Sequence, residues 1–268
     1  MSLTRDDKHF YEAHYIDLAQ GKQPGITTCI GVLDKPALVG WAKRETAIAA
    51  LRNWGTLQSM IAQYPVNDEA LATHPAVSFL KGVPGYQRDA AADIGTRVHA
   101  VAEAMQRGED PIIEDDVAPF ADAYVRDFLT RYQPTFHPLY TECMVYHSGQ
   151  DGTVLPYGGT MDVICRIKDP VLDAEETWLI DFKTSKSGVY PETGLQLAAG
   201  RYAEFIGRPG DPKRYPVPKV DRCGVVWIRP EGAHLIEYRV SPQEFQAFTA
   251  CRLLWHWVHE RAQEVKAA

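Results

Sequence analysis

An Asp and a Lys one residue apart, Asp181-Phe182-Lys183 in LIDFKTSKS (179–187), can hold a carboxylate and an ammonium side by side. On a β-strand, alternation sets Leu179, Asp181, Lys183 and Ser185 on one face. Trp178, Ile180, Phe182 and Thr184 take the other, as a core face. Alone, such a pair is most simply a salt bridge on a solvated strand. A second carboxylate widens the chemistry. In GGTMDVICRI, Met161, Val163, Cys165 and Ile167 form an apolar face, and Asp162 lies opposite with Thr160, Ile164 and Arg166. If the two strands are neighbours, Asp162 and Asp181 can project from the same side of a sheet. Carboxylates that close repel, and one takes a proton unless a cation separates them. A hard divalent cation such as Mg²⁺ or Mn²⁺ is one solution, and two solvated Asp residues on an exposed face are the other.

Two further polar residues sit beside apolar stripes. In the helical pattern over 85–107, Ile94, Val98, Val101, Ala102 and Met105 make one stripe, and His99 falls about 110° from its centre. Gly95 one turn earlier leaves room for close approach of backbone or ligand. In the helix that follows DFKTS, Leu195, Ala198, Ala199, Tyr202, Phe205 and Ile206 form the stripe, with Gln196 and Gly200 off it. Each of His99 and Gln196 is, by itself, an ordinary surface residue.

The elements that must position these residues follow from punctuation and period. The N-terminal half reads as helical: 5–20, a Pro-led helix from Pro36, one around 67–81, one over 85–107 ended by Gly108, and one over 114–132 ended before Pro134. The pattern then changes to strands at 138–147, 157–168 and 177–184, the first two joined by a Gly-rich connection. A helix at 192–207, a Pro/Gly-rich loop GRPGDPKRYPVPK, and strands at 223–229 and 233–240 follow. The last helix opens on Ser241-Pro242-Gln243-Glu244, a capping box with Pro at its first position. This order predicts an α/β chain of the α+β kind, a mixed sheet flanked by helices, with a helical N-terminal lobe over 1–84 and a core over 85–268.

Bulk properties set the outer limits. The chain has 268 residues, 45% of them apolar and 24% charged, within the range of one α/β domain plus a lobe. No apolar run approaches the ~18–20 residues of a membrane helix. The opening MSLTRDDKHFYEAHY carries acidic residues and no apolar stretch, so no signal peptide is expected. Five scattered cysteines without a C-x-x-C fit a reducing cytoplasm and argue against a disulfide framework and zinc or iron–sulfur ligation. A net charge of −7 argues against a non-specific nucleic-acid binder, although a local basic patch is compatible with it.

Taken in order, GTRVH (95–99), GGTMD (158–162), IDFKTSKS (180–187) and LQLAAGRYAEF (195–205) resemble the PD-(D/E)XK nuclease superfamily, in its RecB-like branch of phage and CRISPR-adaptation exonucleases. The resemblance covers about residues 90–206, and ITTCIGVLDKPALVGWAKRE upstream is similar to the opening of phage members. It implies a restriction-endonuclease-like core. It also implies one or two Mg²⁺ or Mn²⁺ ions on His99, Asp162, Asp181 and the Phe182 carbonyl, with Lys183 as the catalytic lysine. Gln196 takes the place of the family's glutamine after the core, and Glu142 that of a frequent first-strand Glu, in an accessory role. Gly200 stands where the family carries a tyrosine. Cys29 has no C-terminal cysteine cluster to join, so no iron–sulfur cluster is expected.

The activity so implied is metal-dependent exonucleolytic hydrolysis of DNA phosphodiesters in recombination, repair or DNA processing, in the cytoplasm, or the host cytoplasm for a phage-encoded protein. Its partners are single- or double-stranded DNA and a single-strand annealing or other recombination protein, with no membrane. Arg88, Arg97, Lys186 and Arg201 are the candidate backbone contacts, against the plain alternative that they are solvated. Other readings are an endonuclease of the same chemistry, a non-catalytic DNA-end or partner-binding module, and a metal hydrolase of small phosphorylated or nucleotide substrates.

Overall fold

The computed structural model describes residues 2–15, 17–18, 21–150, 152–168 and 174–266. The chain forms two compact units, residues 34–96 and residues 1–33 with 97–268.

The larger unit is built on a mixed seven-stranded sheet. Its strands are β4 (Thr141–His147), β5 (Tyr157–Lys168), β6 (Glu175–Lys183), β7 (Phe205–Arg208), β8 (Asp211–Pro216), β9 (Arg222–Arg229) and β10 (Gly232–Tyr238), in the spatial order β10-β9-β6-β5-β4-β7-β8. Among the described strands of this sheet only β6 and β9 pair parallel, and the connection between them carries a helix, α7 (Thr193–Arg201), as a parallel crossover requires. Three short strands, β1 (Leu3–Arg5), β2 (Phe10–Ala13) and β3 (Lys22–Pro24), pair antiparallel in a second sheet followed by α1 (Ile26–Ile30).

Both faces of the large sheet are covered. On one, Val145, Leu179, Cys223 and Val225 pack with Leu197 and Ala198 of α7, Cys29 of α1 and Phe248 of α8 (Pro242–His256). On the other, Phe182 meets Tyr124 of α5 (Ala118–Tyr124), 5.5 Å between ring centroids. From α5 the chain continues through a π-helical turn (Val125–Leu129) into α6 (Thr130–Tyr132). Helix α8 likewise passes through a π-helical turn into α9 (Ala262–Lys266). The expected capping box is present at its start, Ser241 accepting from Gln243 N and Glu244 accepting from Ser241 N. All five cysteines are buried free thiols. Among the described residues no helix is long and apolar enough to cross a membrane.

The smaller unit holds α2 (Pro36–Arg52), α3 (Trp54–Gln63), a 3₁₀ turn (Asp68–Thr73) and the first part of α4 (Pro75–Gln106). The buried His74 ring ties the turn together, one nitrogen 2.7 Å from the Tyr64 carbonyl and the other accepting from Ala76 N.

The mixed sheet flanked by helices is as expected, but five local expectations are corrected. The described part of 3–24 holds the three short strands β1–β3, not the helix expected over 5–20 (16, 19 and 20 lie outside the described residues). Tyr11 and Ala13 are buried at period two, a signal that the intervening charges hide. The boundary expected at 84/85 falls inside α4, which runs unbroken from Pro75 with Pro84 in its interior. The helix expected over 192–207 ends at Arg201, because Phe205–Gly207 pairs with the β4 edge at Met144–Tyr146. The expected Pro/Gly-rich loop is the β7–β8 hairpin, turning at Gly210 in the left-handed region (φ +74). The face of β6 bearing Asp181 and Lys183 is not solvated, since Leu179 is 1% exposed and Asp181 4%.

Candidate metal centre

His99 is carried by the last turns of α4, within the larger unit. Val98, Val101 and Ala102 anchor this stretch in the core, which leaves His99 beside the buried stripe with its ring edge-on to Phe182 at 5.9 Å. Its Nδ1 lies 3.5 Å from Asp162 Oδ1.

Asp162 sits where the central ladders loosen. The last β5–β6 pair is Val163↔Ile180, and the next step is replaced by a bond from Phe182 N–H to Asp162 Oδ2 at 2.6 Å. On the other side, Cys143↔Met161 and Thr141↔Val163 bracket Glu142 and Asp162. Glu142 adopts φ +47, a left-handed conformation that is costly for a side-chain-bearing residue, roughly 1–3 kcal/mol. This kink in β4 brings the Glu142 carboxylate to the other two groups: ligand atoms of His99, Glu142 and Asp162 all lie within 4.8 Å of one another.

The glycines before Asp162 have a packing role. A Cβ on Gly158 would come within 2.3 Å of the Tyr11 ring, and one on Gly159 within 2.2 Å of Ile26. The small sheet and α1 therefore lie directly on β5, and Tyr11 Oη reaches Thr160 Oγ1 at 2.9 Å.

Asp181 turns towards α7. Gln196 Nε2 donates to its Oδ1 at 2.6 Å, and Lys183 Nζ is 2.6 Å from Oδ2 and 3.4 Å from Gln196 Oε1. The Lys183 contact is close but not aligned as a hydrogen bond, so Asp181 Oδ2 is a buried acceptor without an aligned donor among the described residues. The expected set of His99, Asp162 and Asp181 is thus not brought to one point. Glu142 joins His99 and Asp162, while Asp181 forms an adjoining relay with Lys183 and Gln196.

The electrostatics match a site short of positive charge. Burial pushes Glu142 up to about 7, reinforced by Asp162 and Glu103 and opposed by His99 and Arg5. Burial pushes Asp181 up to about 6, opposed by Lys183 and reinforced by Asp162. For Asp162 burial also disfavours the charge, but His99 and Lys183 outweigh it and hold the carboxyl below its ordinary range. His99 and Lys183 are desolvated too, yet neighbouring carboxylates, Asp162 and Asp181 respectively, raise both. An imidazole and two carboxylates within one ion's reach, beside a buried carboxylate oxygen that lacks an aligned donor, fit a hard divalent cation.

The basic candidates scatter. Arg88 belongs to the smaller unit and pairs with Asp89. Arg97 binds Glu114 and Asp116, each at 2.7 Å. Arg201 donates to the Val240 carbonyl at 2.9 Å, a tie between α7 and the start of α8. Lys186 is exposed just beyond β6. Gly200 is buried against the sheet rather than off the stripe, and a Cβ there would meet Met161 Sδ at 2.1 Å. Sequence reading missed Arg5, whose Nη1 donates to Thr160 Oγ1 at 3.3 Å; nothing in the local pattern of β1 pointed to a partner 155 positions away.

No protein-family model matches the chain, and no curated protein matches it.

Proposed function

We propose that this chain is a Mg²⁺- or Mn²⁺-dependent deoxyribonuclease of the PD-(D/E)XK kind, acting exonucleolytically in recombination, repair or DNA processing. The observation that carries the reading is the convergence of His99, Glu142 and Asp162 within 4.8 Å, next to the Asp181–Lys183–Gln196 relay. His99, Glu142 and Asp162 would hold the ion, with Asp181 and the Phe182 carbonyl as the further ligands that the resemblance implies. Bound there, it would polarise a phosphoryl oxygen, acidify a water and neutralise the leaving oxygen.

The chain's own residues do the rest. Asp181 keeps the Lys183 proton in place, so Lys183 works as an ammonium that stabilises charge developing on the phosphoryl group rather than as a base. Gln196 touches both partners and fixes their orientation, its amide N–H₂ on Asp181 and its carbonyl oxygen on Lys183. Asp162 ties the ion-binding strand to the relay strand through Phe182 N–H, so the two groups of residues keep a set spacing. The glycine at the position where the resemblance expects a tyrosine has a packing cause in Met161.

End-labelled linear DNA, single- and double-stranded, tests the reading. The wild type should release nucleotides with Mg²⁺ or Mn²⁺ and not with EDTA, and Lys183→Ala should abolish release while keeping the fold. A covalently closed circle left intact distinguishes the exonuclease from an endonuclease. A folded protein that degrades no DNA with either metal defeats the proposal.

A further inference from the structure

The β1–β2 hairpin brings a cation to the candidate metal centre. Arg5, the last residue of β1, is exposed, and among the described residues no carboxylate lies within ion-pair distance of it. Other arginines of the larger unit are ion-paired: Arg97 with Glu114 and Asp116, Arg166 with Glu175 and Arg214 with Asp17. Arg5 makes one side-chain hydrogen bond among the described residues, from Nη1 to Thr160 Oγ1 at 3.3 Å, which leaves its other donors available. Thr160 is two residues before Asp162 on β5 and is held from its other side by Tyr11 Oη at 2.9 Å. Arg5 is near enough to Glu142 for its charge to act on that carboxyl.

We propose that Arg5, seated on Thr160, is a positioning residue that grips a backbone phosphate of the DNA strand beside the His99–Glu142–Asp162 cluster. A guanidinium with free donors matches a phosphate's two non-bridging oxygens. The location matters because the cluster is itself anionic and repels a polyanion until a cation intervenes. Tyr11 and Thr160 fix the height of Arg5 over β5, so the grip sets where the strand lies relative to the ligands. Without Arg5 the chain would still bind the ion but would hold the strand less tightly. The inference rests on the nuclease reading and adds a strand-binding role to a residue outside its motifs.

The test compares wild type, Arg5→Gln and Arg5→Lys by fluorescence anisotropy with a labelled single-stranded oligonucleotide in Ca²⁺ across a salt series, and by steady-state cleavage with Mn²⁺. Thermal melts and Mn²⁺ binding are read on the same proteins. Arg5→Gln should weaken DNA binding on the order of tenfold and flatten the slope of log affinity against log salt by about 0.7, the share of one single-strand phosphate contact. KM should rise by a similar factor with kcat little changed, and Arg5→Lys should recover the slope but only part of the affinity. Mn²⁺ affinity and melting temperature should stay at wild-type values. Equal DNA affinity and salt slope in wild type and Arg5→Gln overturns the proposal, as does a loss accompanied by an equal loss of Mn²⁺ binding. Wild-type protein that binds DNA but never cuts it defeats the nuclease reading, and the anisotropy comparison still decides Arg5.

Discussion

Lys183→Met should cost stability in a way that depends on Asp181 and on pH. The substitution keeps the length of the side chain and removes its charge. Asp181 is then a carboxylate with 6% side-chain exposure whose remaining contact is the Gln196 amide. Removing one partner of a buried pair costs roughly 3–5 kcal/mol. Lys183 is 32% exposed, so solvent already screens part of the attraction, and about 2 kcal/mol is the fitting figure. For a unit of this size that lowers the melting temperature by about 4–8 °C. Asp181 is the acid pushed up to about 6 in the folded chain, so its burden is absent at low pH and grows as pH rises through that value. Without Lys183 its pKa rises further, and the loss should be small at pH 5 and full at pH 8. Asp181→Asn in the same chain removes the stranded charge and should recover most of the loss, a coupling of about 1 kcal/mol or more. Denaturation of the four proteins in EDTA at both pH values measures this. Strictly additive effects, or a loss equal at pH 5 and pH 8, would refute the reasoning.

Mn²⁺ should raise the melting temperature of the wild type more at pH 8 than at pH 5.5, because Glu142, up to about 7, and Asp181, up to about 6, must shed protons to favour the ion. The same shift should vanish in Asp162→Ala, read by differential scanning fluorimetry. Gly200→Ala should destabilise by about 1–2 kcal/mol in urea, the clash with Met161 Sδ at 2.1 Å outweighing the helix gain of about 1 kcal/mol. Combining it with Met161→Ala should give less than the sum of the two losses. Ser241→Ala breaks the capping box of α8 and should cost about 1 kcal/mol by the same measurement.

The parts of the fold legible in the sequence are those with strong local punctuation. Strands β5 and β6, the Pro-led start of α2 and the Ser241 cap follow from alternation and capping residues alone. The β1–β3 sheet was hidden because strands of three or four residues hold too few positions to set a period, and Asp, Lys and His break the apolar rhythm. Phe205 and Ile206 continue the helical stripe of α7, and only the open edge of β4 makes them a strand. At the site, Asp162, Asp181, Lys183 and His99 could be singled out by spacing and motif order. The partition between them could not. Whether Asp181 joins His99 or Gln196 depends on where the β5–β6 ladder opens, and the reach of Glu142 depends on a left-handed kink with no glycine to announce it. Arg5 reaches Thr160 across the chain, through a contact that no local pattern encodes.

The most direct measurement is the release of nucleotides from end-labelled linear DNA by wild type and Asp162→Asn across a Mn²⁺ titration. A metal centre at His99, Glu142 and Asp162 predicts release that rises and saturates with Mn²⁺ in the wild type and is lost in Asp162→Asn, with both proteins folded. Release that needs no metal, or that survives Asp162→Asn at the same Mn²⁺ concentrations, would contradict it.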